Sequence, residues 1–244
     1  MLWLFVFPYD LCPKSRQLFG IILQVTDRDP LSTAQQVASA ITQAVRGGHL
    51  VPGQRLTETE LASRHGVSRS SVREAFQRLT VDGLLAFEPH RGVTVRRLSR
   101  KEVDDLFAVR SSLEALAVGL ALPALQAEPA GLRTLQAEMD DAVAANDMAR
   151  FSEANTRFHA LFPAAANNAV LAETLTRLSN SLYWLQFRML VDREDVFASN
   201  AEHRRIVEAV LADDRQIAET AMREHVVASG ALIQRLSDDH FAPA

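Results

Sequence analysis

From residue 33 onward the apolar positions fall mostly at three- and four-residue intervals, the spacing that places one stripe on a helix. Ser32 can cap a first helix over about 33–46, striped by Val37, Ala40, Ile41, Ala44 and Val45. Gly47 and Gly48 end it, and Val51, Pro52 and Gly53 form a turn. Thr57 with Glu60 three residues later reads as a capping box for a short helix over 57–64. Gly66 supplies a tight turn, and Ser68 caps a third helix running to about Asp82, closed by Gly83. The period then changes. Two short extended runs, 84–87 and 93–96, are joined by Glu88, Pro89, His90, Arg91 and Gly92, which predicts a hairpin with a basic tip.

Beyond Ser99 the pattern stays helical, over about 100–122, 129–146, 148–165, 168–190, 194–212 and 214–238. Breaks fall at Pro123 and Pro129, at Asn146 and Asp147, over 163–168, over 191–193 and over 212–214. The stripe Leu171, Leu175, Leu178, Leu182, Leu185, Met189 is core patterning and needs no cofactor to explain it. The expected fold is mostly α. A winged helix-turn-helix over 31–98 precedes an antiparallel six-helix bundle over 99–244. Residues 1–30 are expected to be a disordered or loosely docked extension. Their apolar opening, MLWLFVFP, has no basic residues before it, stops at Pro8 and lacks a small-residue cleavage site.

Composition and charge sharpen this picture. The formal charge of −4 divides unevenly. Residues 31–98 carry nine Arg against five Asp and Glu, which is +4, and residues 99–244 carry fourteen Lys and Arg against twenty-two acids, which is −8. A basic head on an acidic body suggests that only the head meets a polyanion, although random surface charge gives the same tally. The single cysteine, Cys12, excludes an internal disulfide and fits a reducing cytoplasm. No segment holds the roughly 18 uninterrupted apolar residues of a spanning helix, so no membrane role is expected.

The chemistry of the head lies on the leading edge of the third helix. Arg69, Ser70, Ser71 and Arg73 crowd its first turns, where a helix lying in a major groove meets base edges and phosphates. Arg69 can grip a guanine bidentately at its O6 and N7, the two serines can donate to phosphates or bases, and Arg73 lies one turn on. His90, Arg91 and Gly92 at the wing tip can reach the flanking groove. One such arginine alone is a solvated surface charge; four positions on one edge beside a basic wing are a DNA-reading surface. The stretch PGQRLTETELASRHGVSRSSVREAFQRLTVDGLL, within a match over about 36–96, resembles the winged-helix domain of GntR-type bacterial transcription regulators. Ser71 departs from that pattern, where proline is frequent. The resemblance implies a homodimer on an inverted repeat in double-stranded DNA.

Three histidines stand out in the bundle. His159 follows Asn155 by one helical turn, and His203 and His225 lie on two later helices. From three helices they can converge on one ion, or they can be ordinary core histidines. FSEANTRFHALFPAAANNAVL, AEHRRIVEAVLADD and AMREHV resemble the FCD effector-binding domain of the FadR branch, in its shorter VanR-like six-helix form, over roughly 100–235. That resemblance implies a divalent metal (zinc, nickel or manganese) on Asn155, His159, His203 and His225, with Asn155 replacing a customary aspartate. The neutral amide weakens the metal and leaves the site more positive toward an anion. Arg110 continues the inward stripe Val103, Leu106, Arg110, Leu113, Ala117 and needs an anion, either Glu114 four residues on or a ligand carboxylate. Arg188 is a second candidate clamp, with Tyr183 and Trp184 as core or pocket wall. The expected function is a non-enzymatic, cytoplasmic transcription factor, commonly a repressor, controlled by a small organic acid. The alternatives are a constitutive DNA binder with a vestigial cavity and a metallohydrolase, which lacks an evident general base.

Overall fold

The structure, a computed structural model, describes residues 31–189 and 193–243. The extension 1–30 lies outside the described residues. The head begins with α1 (Thr33–Arg46), opened by a full capping box in which Ser32 and Gln35 satisfy each other's backbone amides. Next come β1 (Arg55–Leu56), α2 (Glu58–His65) and α3 (Arg69–Val81). Only half of the box expected at α2 forms. The Thr57 hydroxyl accepts from the Glu60 amide, while the Glu60 carboxylate turns to Arg64 at 2.8 Å. Gly66, at φ 65°, takes the left-handed conformation that ends α2 and turns the chain into α3.

The wing consists of β2 (Leu85–Glu88) and β3 (Gly92–Val95), antiparallel with Leu85 opposite Val95 and Glu88 opposite Gly92. β1 adds a strand on the other side of β3, giving the order β1-β3-β2. Two residues are too few to show an alternation, so the sequence pattern hides this strand. Val37, Ile41 and Val45 of α1 bury Val72, Phe76 and Leu79 of α3 against Leu85 and Val95. Phe76 alone represents about 3–5 kcal/mol on truncation to alanine, by the usual cost of emptying a core aromatic site.

The body comprises α4 (Arg100–Ala127), α5 (Ala130–Ala144), α6 (Met148–Ala165), α7 (Ala169–Met189), α8 (Arg193–Ala198), α9 (Asn200–Leu211) and α10 (Arg215–Gln234). α4 is apolar and long enough to cross a membrane by length and composition, but it is the central core helix, packed by α6, α7, α9 and α10. Left-handed Asn146, Asn167 and Asp213 turn the chain after α5, α6 and α9.

Two expectations fail here. Pro123 does not stop α4, which continues to Ala127 because buried Leu122 and Leu125 hold the last turn despite one missing hydrogen bond. The helix expected over 194–212 is split between α8 and α9 at Ser199. There the Ser199 hydroxyl donates back to the Val196 carbonyl, and α5 holds buried Asn200 through Gln136 and Asp140.

The two cores are separate: one gathers residues between Val37 and Val95, the other residues between Leu98 and Phe241. Where they meet, the last part of the chain folds back. The Ala242 amide donates to the Leu98 carbonyl at 2.8 Å, and Arg100 donates to the Gln234 and Leu236 carbonyls and to Asp238. Its guanidinium lies 4.1 Å from the centre of the buried Phe241 ring.

Candidate functional site

The edge expected to meet DNA is built by the cap of α3. The Ser68 hydroxyl accepts from the Ser71 amide at 3.1 Å and lies 2.7 and 2.9 Å from the hydroxyls of Ser70 and Ser71. A proline at 71 has no amide to give, so the serine that departs from the family pattern adds a capping bond. Arg69 and Arg73 project from this turn with side chains 65% and 60% exposed, enough for both to meet a groove. They are not bare, however. Glu58, opening α2, accepts Arg73 through two bonds of 2.7 and 2.8 Å and lies 3.6 Å from Arg69. Its carboxyl sits below the ordinary range, held there first by the Arg73 hydrogen bonds. Glu58 was missed in the sequence because its partners lie in the next helix.

At the wing tip His90 is exposed, with φ 64°, and Gly92 begins β3 at φ 80°. Glu88 clips Arg91 at 2.9 Å and Thr94 at 2.8 Å, while Arg91 also reaches the Gly53 carbonyl at 3.4 Å.

Inside the body, α6, α9 and α10 bring His159, His203 and His225 together. Their ligand atoms all lie within 4.8 Å of one another. The Nε2 of His225 is 3.1 Å from that of His203 and 3.2 Å from that of His159. The Nδ1 of His225 faces the Glu202 carboxylate at 2.7 Å, and the Nδ1 of His159 contacts the Glu114 carboxylate. A carboxylate on Nδ1 fixes the proton there and leaves the Nε2 lone pair free. The Nε2 lone pairs of His159 and His225 therefore face each other, an arrangement that repels unless a cation or a proton carried by the His203 Nε2 lies between them. Two nitrogens at about 2.1 Å from a tetrahedral ion are about 3.4 Å apart, close to the spacing found.

Burial, and then the neighbouring His225 and His159, push the His203 imidazole well below its ordinary pKa. Burial likewise lowers His159, although Glu114 pulls the other way. Neutral imidazoles are the form that binds metal.

Asn155 lies one turn before His159, and its Oδ1 is buried without a hydrogen-bond partner. Arg110 is 5% exposed, and its Nε donates to Glu114 at 2.5 Å. Burial opposes the Glu114 charge, yet Arg110 and His159 hold its carboxyl down to about 2. The ion pair expected at four-residue spacing thus exists, but the Nη1 of Arg110 remains buried and unpaired. Arg110, Glu114, Asn155 and His159 line one cavity of about 310 Å³. The side chains of Arg188, Tyr183 and Trp184 lie outside the described residues. Glu202 escaped the sequence reading, and Glu114 was read only as a partner for Arg110, not as the carboxylate behind His159. The adjacency of Glu202 to His203 was the one available signal, and it points to the wrong imidazole.

A winged helix joined to a helical bundle, with a cavity lined in part by Arg110, Glu114 and His159, is the architecture of a DNA-binding regulator. Residues 33–95 match the family model described as bacterial regulatory proteins, gntR family, and residues 105–228 match the FCD domain. The chain belongs to the GntR family of transcriptional regulators, with an FCD domain as its body. It is 32% identical over 199 residues to the "Probable D-xylose utilization operon transcriptional repressor" of Paenarthrobacter nicotinovorans, spanning 81% of this chain and 87% of that one. It is 32% identical over 171 residues to the Nta operon transcriptional regulator of Aminobacter aminovorans, spanning 69% and 78%. Among solved structures it is similar to a GntR regulator from Rhodococcus sp. RHA1, at 25% identity and TM-score 0.71, over 85% of this chain and all of that one.

Proposed function

We propose that this regulator binds an inverted-repeat operator in double-stranded DNA as a homodimer, and that a small carboxylate entering its metal-bearing cavity sets its operator affinity. Arg69, Ser70, Ser71 and Arg73 contact bases and phosphates in the major groove, while His90, Arg91 and Gly92 contact the adjacent backbone. DNA phosphates compete with Glu58 for Arg73, so docking exchanges one ion pair for another. Exposed Val109, Leu116 and Leu120 on α4, beside Ile217 and Val227 on α10, supply an apolar face for the second copy.

The observation that carries the cavity reading is the meeting of imidazole lone pairs beside an unpaired Arg110 Nη1 and an unpaired Asn155 Oδ1. His159, His203 and His225 hold the ion, with Asn155 as a neutral fourth ligand. Three nitrogens and one amide oxygen favour zinc or nickel over manganese. When bound, the ion supplies a Lewis-acid contact for an effector carboxylate. Arg110 supplies the charge-assisted hydrogen bonds, and Glu114 and Glu202 hold the imidazoles in the binding tautomer. An effector that favours one dimer arrangement changes the spacing of the two α3 helices. A tenfold preference gives only about 1.4 kcal/mol, so effective switching needs more.

The test is metal analysis of protein purified without chelators, followed by thermal-shift screening with small carboxylates, with and without added divalent ion. Near one equivalent of zinc or nickel, and carboxylate shifts that vanish with chelator, are expected. Metal-free protein that takes up neither ion nor acid would overturn the cavity reading and leave the DNA-reading edge standing.

A further inference from the structure

Glu58 stands among the arginines expected to meet DNA, yet it carries the same sign of charge as DNA. It is the first residue of α2, and its side chain is 23% exposed, against 65% and 60% for Arg69 and Arg73. Both of its oxygens are engaged. Oε1 accepts from the Nε of Arg73 at 2.7 Å and Oε2 from its Nη2 at 2.8 Å, while the Nη2 of Arg69 lies 3.6 Å from Oε2. The two bonds to Arg73 form a planar fork, which fixes the direction of the guanidinium as well as pairing its charge. Arg73 first, and Arg69 after it, lower the Glu58 carboxyl, so the negative charge is present at neutral pH. The cap of α2 does not use this side chain, because the Thr57 hydroxyl accepts from the Glu60 amide.

We infer that Glu58 is a specificity-determining residue: it weakens attachment to duplex DNA of any sequence, and it orients Arg69 and Arg73 for the operator alone. The inference rests on the leading edge of α3 being the reading surface. Non-specific affinity comes from cations that displace counterions from phosphate. Arg73 can do this only by giving up Glu58, and the released carboxylate then lies against the phosphate backbone. Contacts limited to phosphate are therefore disfavoured on every duplex. An operator adds matching base edges, and there direction counts. Arg73 is held through two nitrogens, and Arg69 stands beside the same carboxylate. Side chains set in advance lose less freedom on docking. On the operator the two effects oppose each other, whereas on other DNA only the unfavourable one acts. Specificity is the difference between those two affinities, and a repulsive element raises it without any new base contact.

In the experiment, the tightest duplex that full-length wild type selects from a random pool serves as operator, and a shuffled duplex of equal length and composition as non-specific DNA. Anisotropy titrations over about 0.05–0.2 M salt give an affinity and a salt slope for each. Glu58→Gln keeps the shape and removes the charge. It should bind the shuffled duplex about tenfold more tightly, with log K falling more steeply against log salt by about 0.9. Its operator affinity should stay within about twofold of wild type, so the ratio between the duplexes falls by about fivefold or more. Glu58→Asp keeps the charge at the start of α2 and shortens its reach. It should show the converse, with shuffled-duplex affinity unchanged and operator affinity reduced. A merely structural role at the start of α2 would move both duplexes together. Equal proportional changes on the two duplexes, or shuffled-duplex binding unaltered by Glu58→Gln, would overturn the role of Glu58 and leave the reading edge standing. A wild type that selects no sequence from the pool would overturn both.

Discussion

The leading edge of α3 and the histidine cavity use the same kind of pairing under opposite conditions. On the edge, Glu58 holds Arg73 in water, where the pair is screened and is readily exchanged for phosphate. In the cavity, Glu114 holds Arg110 and His159 out of water, where losing any partner leaves an uncompensated buried charge. An exposed carboxylate can present arginines and let them go. A buried one fixes its neighbours in place. The edge is thus open to exchange of partners, and the cavity is not.

Substitutions separate the two regions. The largest effect is expected for His203→Ala, which removes a fully buried imidazole of the proposed metal site. Metal affinity should fall by more than the roughly 10–100-fold that loss of an outer-sphere partner costs. Calorimetric titration with zinc reads this directly, and retained stoichiometric metal would show that the imidazoles are core residues. Arg69→Ala should cost about 1–3 kcal/mol of specific operator binding with metal content unchanged. Operator affinity equal to wild type would remove Arg69 from the reading surface. Ser68→Ala breaks the α3 cap and should lower stability by about 1 kcal/mol. A denaturation midpoint equal to that of wild type would show that Ser70 and Ser71 satisfy the helix start unaided.

The smallest and most gradual effect is that of pH. His159 and His203 take up protons less readily folded than unfolded, so metal-free protein should lose stability as pH falls below about 6.5, the unfolded imidazole value. Glu114, with its carboxyl at about 2 and an ordinary value of 4.5, keeps its contribution down to about pH 4.5. A flat melting temperature from about pH 7.5 to 5 would contradict the burial of those imidazoles.

How much was legible beforehand follows from how local each cause is. α1 runs over the residues expected because Ser32 caps it and Gly47 ends it, both within a few positions. The three histidines were singled out by type and by the resemblance of their segments to the FCD domain. Their supporting carboxylates were not recognised as such, since Glu114 stands 45 positions before His159 and Glu202 stands 23 before His225. The break at Ser199 was hidden for the same reason, as Asn200 finds Gln136 from 64 positions away. Arg46 is the extreme case. It ends a helix of the head and lines a cavity of the body, reaching Asn180 across 134 positions. Pro123 misled in the opposite sense, because its local rule yields to the packing of Leu122 and Leu125.

The return of residues 235–243 to the start of α4 bears on the order in which the molecule matures on the ribosome. The head's core draws on nothing after Val95, so it can form while the body is still being synthesised. Leu98 and Arg100 gain their partners at 234–242 only when the final stretch has emerged. The head's core can thus form before the start of α4 is tied to residues 234–242.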